Sequence, residues 1–162
     1  MDIENIICNE KPLVRNEKYR ELVADDFAKK ILCDIGLPVY PVYFIHFNIN
    51  EIDFPSMDNY IVIGDDYGTK ICINIDGKIL SIDEKEEYLP RYINKDLKSF
   101  LECIYAYKEL IVDCDEEDIE GNLKAIQERF ELIDTSALSD DDNWWSIILV
   151  YSFLARTIFE RI

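Results

Sequence analysis

A chain of 162 residues with 49% hydrophobic side chains is long enough to bury a core and too apolar to stay disordered, which points to one domain over residues 1–162. Its 34 acidic residues against 17 Lys and Arg leave a formal net charge of −17, a field that repels phosphate backbones and anionic lipids and attracts basic partners. Nucleic acid and membrane surfaces are therefore excluded as direct ligands, and a basic protein is the favoured one.

Five cysteines, Cys8, Cys33, Cys72, Cys103 and Cys114, are odd in number and widely spaced, which reads as reduced cytoplasmic thiols and not a disulfide framework. The opening MDIENIICNE has neither the basic nor the long apolar stretch of a signal peptide. The longest apolar run, near the C-terminus, is broken by Ser152 and Arg156 and is too short to span a bilayer.

Residues 1 to about 20 show little periodicity and read as loop or fringe strand, peripheral to the domain. Asp25 or Asp26 is placed to cap a helix carrying Phe27, Ala28, Ile31 and Leu32, closed by Gly36 with Pro38 just beyond. The aromatic and β-branched run Tyr40 to Phe47 reads as a strand, its start held at an edge by Pro41. Tyr60 to Gly64 reads as a second strand.

Asp76-Gly77 predicts a two-residue type I′ hairpin loop between arms at about 69–75 and 78–82, because that turn needs positive φ at both central residues. The register that follows sets Ile75 opposite Lys78, Ile73 opposite Leu80 and Ile71 opposite Ile82 on one apolar face. Cys72, Asn74, Ser81 and Asp83 take the other face, joined by Ile79. Asn94 or Asp96 caps a helix over 97–111, with Leu97, Phe100, Leu101, Ile104 and Ile111 at helical spacing. A second helix carries Leu123, Ile126, Phe130 and Ile133. A third follows Asp140-Asp141-Asp142 and carries Trp144, Trp145, Ile148, Leu149, Ile158 and Phe159. Strands in the middle and helices after them predict an α+β fold, a central antiparallel β-sheet with helices packed on one side and at the ends.

The chemistry-bearing clusters have simple structural explanations. Gly64-Asp65-Asp66-Tyr67-Gly68 lacks the Lys and Ser/Thr of a phosphate loop, and its aspartates would repel phosphate, so it reads as a turn. Asp113 to Asp118 begins like a calcium loop, but Asp118 stands where glycine is needed and Lys124 where a bidentate glutamate is needed. Asp140 to Asp142 suit a helix N-terminus. His46, the single histidine, has no nucleophile motif to serve, and no His or Cys pair has zinc-ligand spacing. No catalytic residue, metal ligand or cofactor site is expected. Trp144 and Trp145 point about 100° apart on a helix, so one enters the core and the other is free to lie at the rim as an apolar anchor.

The order of these signatures carries a resemblance: Ile35-Gly36-Leu37-Pro38, Ile61 to Asp65, Ile71 to Asn74, Gly77, Ile93-Asn94 leading into Leu97 to Leu101, Ile133-Asp134 and Trp145. From about residue 25 to about residue 155 the chain resembles the SUKH (Smi/Knr-like) superfamily, most of all its fourth group of bacterial toxin-immunity proteins. It departs from the family at Thr135, where Pro is expected after Asp134, and in its tight turn at Asp76-Gly77. The resemblance implies a non-enzymatic protein that neutralises a polymorphic toxin, a nuclease or nucleic-acid deaminase. Charge, the clustering of acids in three turns and this resemblance together select a partner-binding surface from Asp65, Asp66, Asp113, Asp115, Glu116, Glu117, Asp140, Asp141 and Asp142, with Trp144 or Trp145 as anchor. A monomer and a weak dimer both stay open. Two other readings also stay open: a scaffold of the yeast Smi/Knr type linked to cell-wall glucan synthesis, and an enzyme with a carboxylate site.

Overall fold

The computed structural model describes residues 1–49, 56, 57, 59–85, 87–114 and 118–159. Its first helix, α1 (Ile3–Cys8), begins at Asp2, whose carboxylate accepts the Asn5 N–H, and buries Ile3 and Ile7 one turn apart. A two-residue strand, β1 (Leu13–Val14), and a 3-10 turn over Glu17–Glu21 follow. The opening residues thus form helix, strand and turn, and Ile3, Ile7 and Tyr19 all enter the main core. The helix was illegible because six residues are too few to display a periodicity.

Helix α2 (Asp26–Lys29) is capped as expected by Asp25, which accepts the Ala28 N–H at 2.8 Å. It widens into a π-helical turn over Lys30–Ile35 and ends at Gly36, whose φ is +108°. Strand β2 (Leu37–Pro38) pairs antiparallel with β1. The run 40–47 is not a strand throughout. Only β3 (His46–Phe47) pairs, because residues 41–44 turn back on themselves, Ile45 N–H reaching Val42 O. The aromatic side chains there are used for stacking and packing and not for a ladder.

Strands β4 (Ser56–Met57), β5 (Tyr60–Asp65), β6 (Lys70–Ile73), β7 (Ile79–Ile82) and β8 (Arg91–Asn94) complete an antiparallel sheet in the order β3-β5-β6-β7-β8, with β4 also on β5. Between the stretches of β5 that pair with β3 and β4, the Tyr19 hydroxyl donates to Val62 O at 2.6 Å and satisfies a carbonyl that a strand would otherwise serve.

The hairpin register differs from expectation by one residue. Ile71 lies opposite Ser81, Cys72 opposite Leu80 and Ile73 opposite Ile79. The loop has three residues, not two. Asn74 Oδ1 accepts the N–H groups of Asp76 and Lys78, at 3.0 and 2.9 Å, and Gly77 N–H closes on Asn74 O at 3.0 Å. That is a type I turn followed by a left-handed glycine, with φ of +82° at Gly77 and no positive φ at Asp76. Ile79 therefore faces the main core with Ile71 and Ile73, while Ile82 joins Val62 and Cys72 in a small cluster on the opposite face. Ile75 is 89% exposed at the tip.

Helix α3 (Leu97–Tyr107) starts from Asp96, which accepts the Ser99 N–H at 2.7 Å. It is α-helical only to Tyr107 and continues to Val112 as a wider turn. Helix α4 (Ile119–Ile133) is capped by Asp118, and α5 (Trp144–Phe159) follows a short loop. One core cluster joins the sheet residues Ile63, Ile71, Ile73, Ile79 and Ile93 to residues of all five helices. The fold is α+β, with the helices gathered on that face of the sheet. The five thiols are unpaired. Burial pushes the Cys72 and Cys103 thiols up to about 12, which keeps them protonated and inert.

Candidate partner-binding surface

Two polar constellations stand out, one inside the molecule and one at its surface. The inner one centres on Asp134, which is 4% exposed at the end of α4. Its Oδ2 accepts from the Tyr92 hydroxyl at 2.9 Å, the Asn94 amide at 3.1 Å and the Lys95 N–H at 2.8 Å, and its Oδ1 accepts from the Ser136 N–H at 3.0 Å. Asn94, fully buried on β8, in turn accepts the Trp145 indole N–H at 2.9 Å. Burial, reinforced by the Asp134 carboxylate, raises the Tyr92 hydroxyl well above its ordinary value, so it remains a donor. The network is closed and holds β8, α4 and α5 together. It has the character of a structural staple, not of a reactive site.

The surface constellation surrounds the turn after β5. Gly64, just before that turn, lets β3 lie close on β5: a Cβ there would collide with the His46 carbonyl oxygen and stand 3.0 Å from Phe47 Cδ1, so a side chain has no room where the two strands pair. Asp65 Oδ1 accepts the Tyr67 N–H at 3.0 Å, holding Tyr67 in the left-handed region at φ +65°. Tyr67 is thereby held parallel to His46, ring centroids 6.3 Å apart, and His46 stacks on Tyr40 at 4.8 Å. His46 Nδ1 lies 3.6 Å from Asp65 Oδ2. Tyr40, Tyr43 and Tyr67 are 60%, 73% and 65% exposed.

Asp66 behaves differently from its neighbour. Its Oδ1 accepts the N–H groups of Gly68 and Thr69 and the Thr69 hydroxyl, and its Oδ2 accepts the Trp144 indole N–H at 2.8 Å. It fastens the turn to α5, so much of its acceptor capacity is already engaged. Neither tryptophan lies at the rim. Trp144 is 4% exposed against Phe44 and Phe100, and Trp145 is fully buried against Phe130. Both find the core because α5 lies in a cleft with aromatic walls on two sides. The anchor expected from Trp144 or Trp145 is therefore absent from the surface, and their indole N–H groups are taken up by Asp66 of the turn and by buried Asn94.

Of the acidic clusters, Asp65 and Asp66 are half-buried at the turn, and Asp140, Asp141 and Asp142 are exposed just before α5. The Trp144–Asp66 hydrogen bond brings these two clusters to one junction. Asp140 accepts the Asp142 N–H at 2.9 Å within its own turn. Asp113 is exposed beyond Val112, while Asp115, Glu116 and Glu117 lie outside the described residues. The exposed tyrosines were missed by sequence reasoning. For Tyr40 and Tyr43 the signal was the aromatic density of Tyr40 to Phe47, which a strand reading absorbed, while Tyr67 sat in a segment read only as a turn. Among the described residues, no group of three His, Cys, Asp or Glu side chains is placed to hold a metal, and no helix is long and apolar enough to cross a membrane.

The family model for SUKH-4 immunity proteins matches residues 14–151. The chain belongs to that family. No curated protein and no solved structure matches it. The match runs from β1 well into α5, across every strand of the central sheet. Asn94, Asp134 and Trp145, three of the residues that carry the SUKH resemblance, belong to the buried network, so part of that resemblance lies in residues that hold the fold. The exposed turn and its tyrosines lie outside that network.

Proposed function

We propose that this chain acts in the cytoplasm as an immunity protein, neutralising a bacterial toxin by binding it and not by catalysis. The observation that carries this reading is the match of the SUKH-4 immunity family across most of the chain. The net charge of −17 supports a finer statement: the toxin is basic, a nuclease or nucleic-acid deaminase whose cationic substrate cleft the acidic surface occupies or covers. Asp65, Asp113, Asp140, Asp141 and Asp142 are the exposed or half-exposed carboxylates best placed to serve it, joined by Asp115, Glu116 and Glu117 from sequence.

The test begins with the genes that flank the one for this chain: a toxin domain found there, made inert by mutation of its own site, is the probe. Co-expression of the active toxin domain with the chain restores growth. In stopped-flow mixing the association rate falls at least about tenfold between 0.05 and 0.5 M salt, as the Debye length shrinks, while dissociation changes less. An association rate indifferent to salt, or unaffected by Asp→Asn changes in all the acidic turns, would show that the charge does not steer binding.

A further inference from the structure

The outward face of α5 is unusual for a surface helix. Its inner row, Trp145, Leu149, Ser152 and Arg156, packs toward α3 and α4. The opposite row should be polar or charged if it met only water. Instead Val150, Tyr151, Leu154 and Ile158 are 57%, 68%, 47% and 59% exposed. These four occupy one side of the helix over about 12 Å of its length. The one charged residue between Trp144 and Phe159 is Arg156, which turns inward toward Cys114. Exposed apolar side chains gathered in this way mark an interaction surface.

A second observation extends the face. Tyr43 and Ala155 line one shallow cavity of about 250 Å³, with Tyr107, Val112, Ser152 and Arg156. Tyr43 projects into solvent, yet its ring is held edge-on against Phe44 at 5.1 Å, and Phe44 packs on Tyr107 and Trp144. An aromatic ring held out by a half-buried ring that is itself packed on the core is a pre-organised anchor, the kind that dominates protein interfaces. The exposed stripe and the exposed tyrosine therefore meet at Ala155.

We propose that this face, Tyr43 with Tyr151, Leu154 and Ile158, is the apolar centre of a docking surface for a basic protein that presents an apolar plug within a cationic rim. The margin decides the occupant. Asp140, Asp141 and Asp142 stand at the N-terminal end of α5, and Asp113 follows Val112 beside the cavity. A second copy would bring the same acidic margins and another net charge of −17, whereas a basic partner pairs with them. The inference rests on the immunity reading and identifies where that partner is gripped.

The experiment uses the full chain and the same inert toxin probe. Tyr43→Ser and the pair Tyr151→Ser/Leu154→Ser alter two different elements at exposed positions, and circular dichroism checks that each variant folds. Each is expected to raise the dissociation rate about tenfold or more while leaving association within about twofold. Asp140→Asn/Asp141→Asn/Asp142→Asn is expected to slow association at low salt instead. If the wild-type chain binds the toxin and both folded serine variants release it at the wild-type rate, the face is not the centre, and the immunity reading stands. If the wild-type chain fails to bind, both fall. A wild-type dimer in light scattering that becomes monomeric on Tyr151→Ser/Leu154→Ser would assign the face to self-association and overturn the proposal.

Discussion

Carboxylates that look alike in the sequence have opposite roles in the fold. Asp134 accepts four hydrogen bonds in the interior, Asp66 joins a turn to a helix, and Asp141 stands in solvent. Removing an acceptor leaves its buried donors unpaired, at about 1–3 kcal/mol for each that water cannot reach. Asp134→Ala is therefore expected to lower stability by about 3 kcal/mol or more in urea unfolding at neutral pH. Asp141→Asn should stay within about 0.5 kcal/mol of wild type. Equal effects of the two substitutions would contradict the network. Nothing in the flanking Ile133 and Thr135 marks Asp134 as buried. Asn94, Asp134 and Trp145 could each be singled out in the sequence, but their meeting depends on how β8, α4 and α5 pack.

At the scale of elements, what proved readable is what is decided locally. Asp25 and Asp96 cap their helices as expected because a cap needs only a carboxylate and an N–H three residues on. The hairpin was found, but its register was set by the Asn74 side chain, which takes two backbone donors and draws Ile75 into the loop. The Asp76-Gly77 pair alone could not reveal that competition. Strand β8 escaped notice because its four residues are flanked by polar segments and acquire their pattern only beside β7. Gly64 is where two elements depend on one missing Cβ. Gly64→Ala would push β3 from β5 and disturb the His46 carbonyl contact, with an expected loss of about 1–3 kcal/mol. Thermal unfolding reads the loss, and displacement of the His46 ring resonances in NMR locates it. A variant as stable as wild type with unmoved His46 signals would show that β3 does not need that close approach.

For the molecule as a whole, the acidic surface burdens the fold that carries it. Seventeen basic side chains can neutralise at most half of the charge of the 34 acids, and the ion pairs seen, such as Arg20 with Asp34 and Lys30 with Glu4, are largely exposed and weak. Unpaired like charges repel one another more in the compact state than in an open chain. Screening should then stabilise the free protein: its Tm is expected to rise between 0.02 and 0.5 M sodium chloride, by about 2–4 °C for each kcal/mol of repulsion relieved. Association with a basic toxin should move the opposite way, slowing over the same salt range. The measurement is a melting series on the free chain, with choline chloride as a second salt to separate screening from ion-specific effects. A Tm that falls with salt would mean that attractive ion pairs outweigh repulsion, and the excess acid would then serve the fold itself. A Tm that rises while association slows leaves the partner as the beneficiary of the charge, since the folded chain alone would be more stable without it.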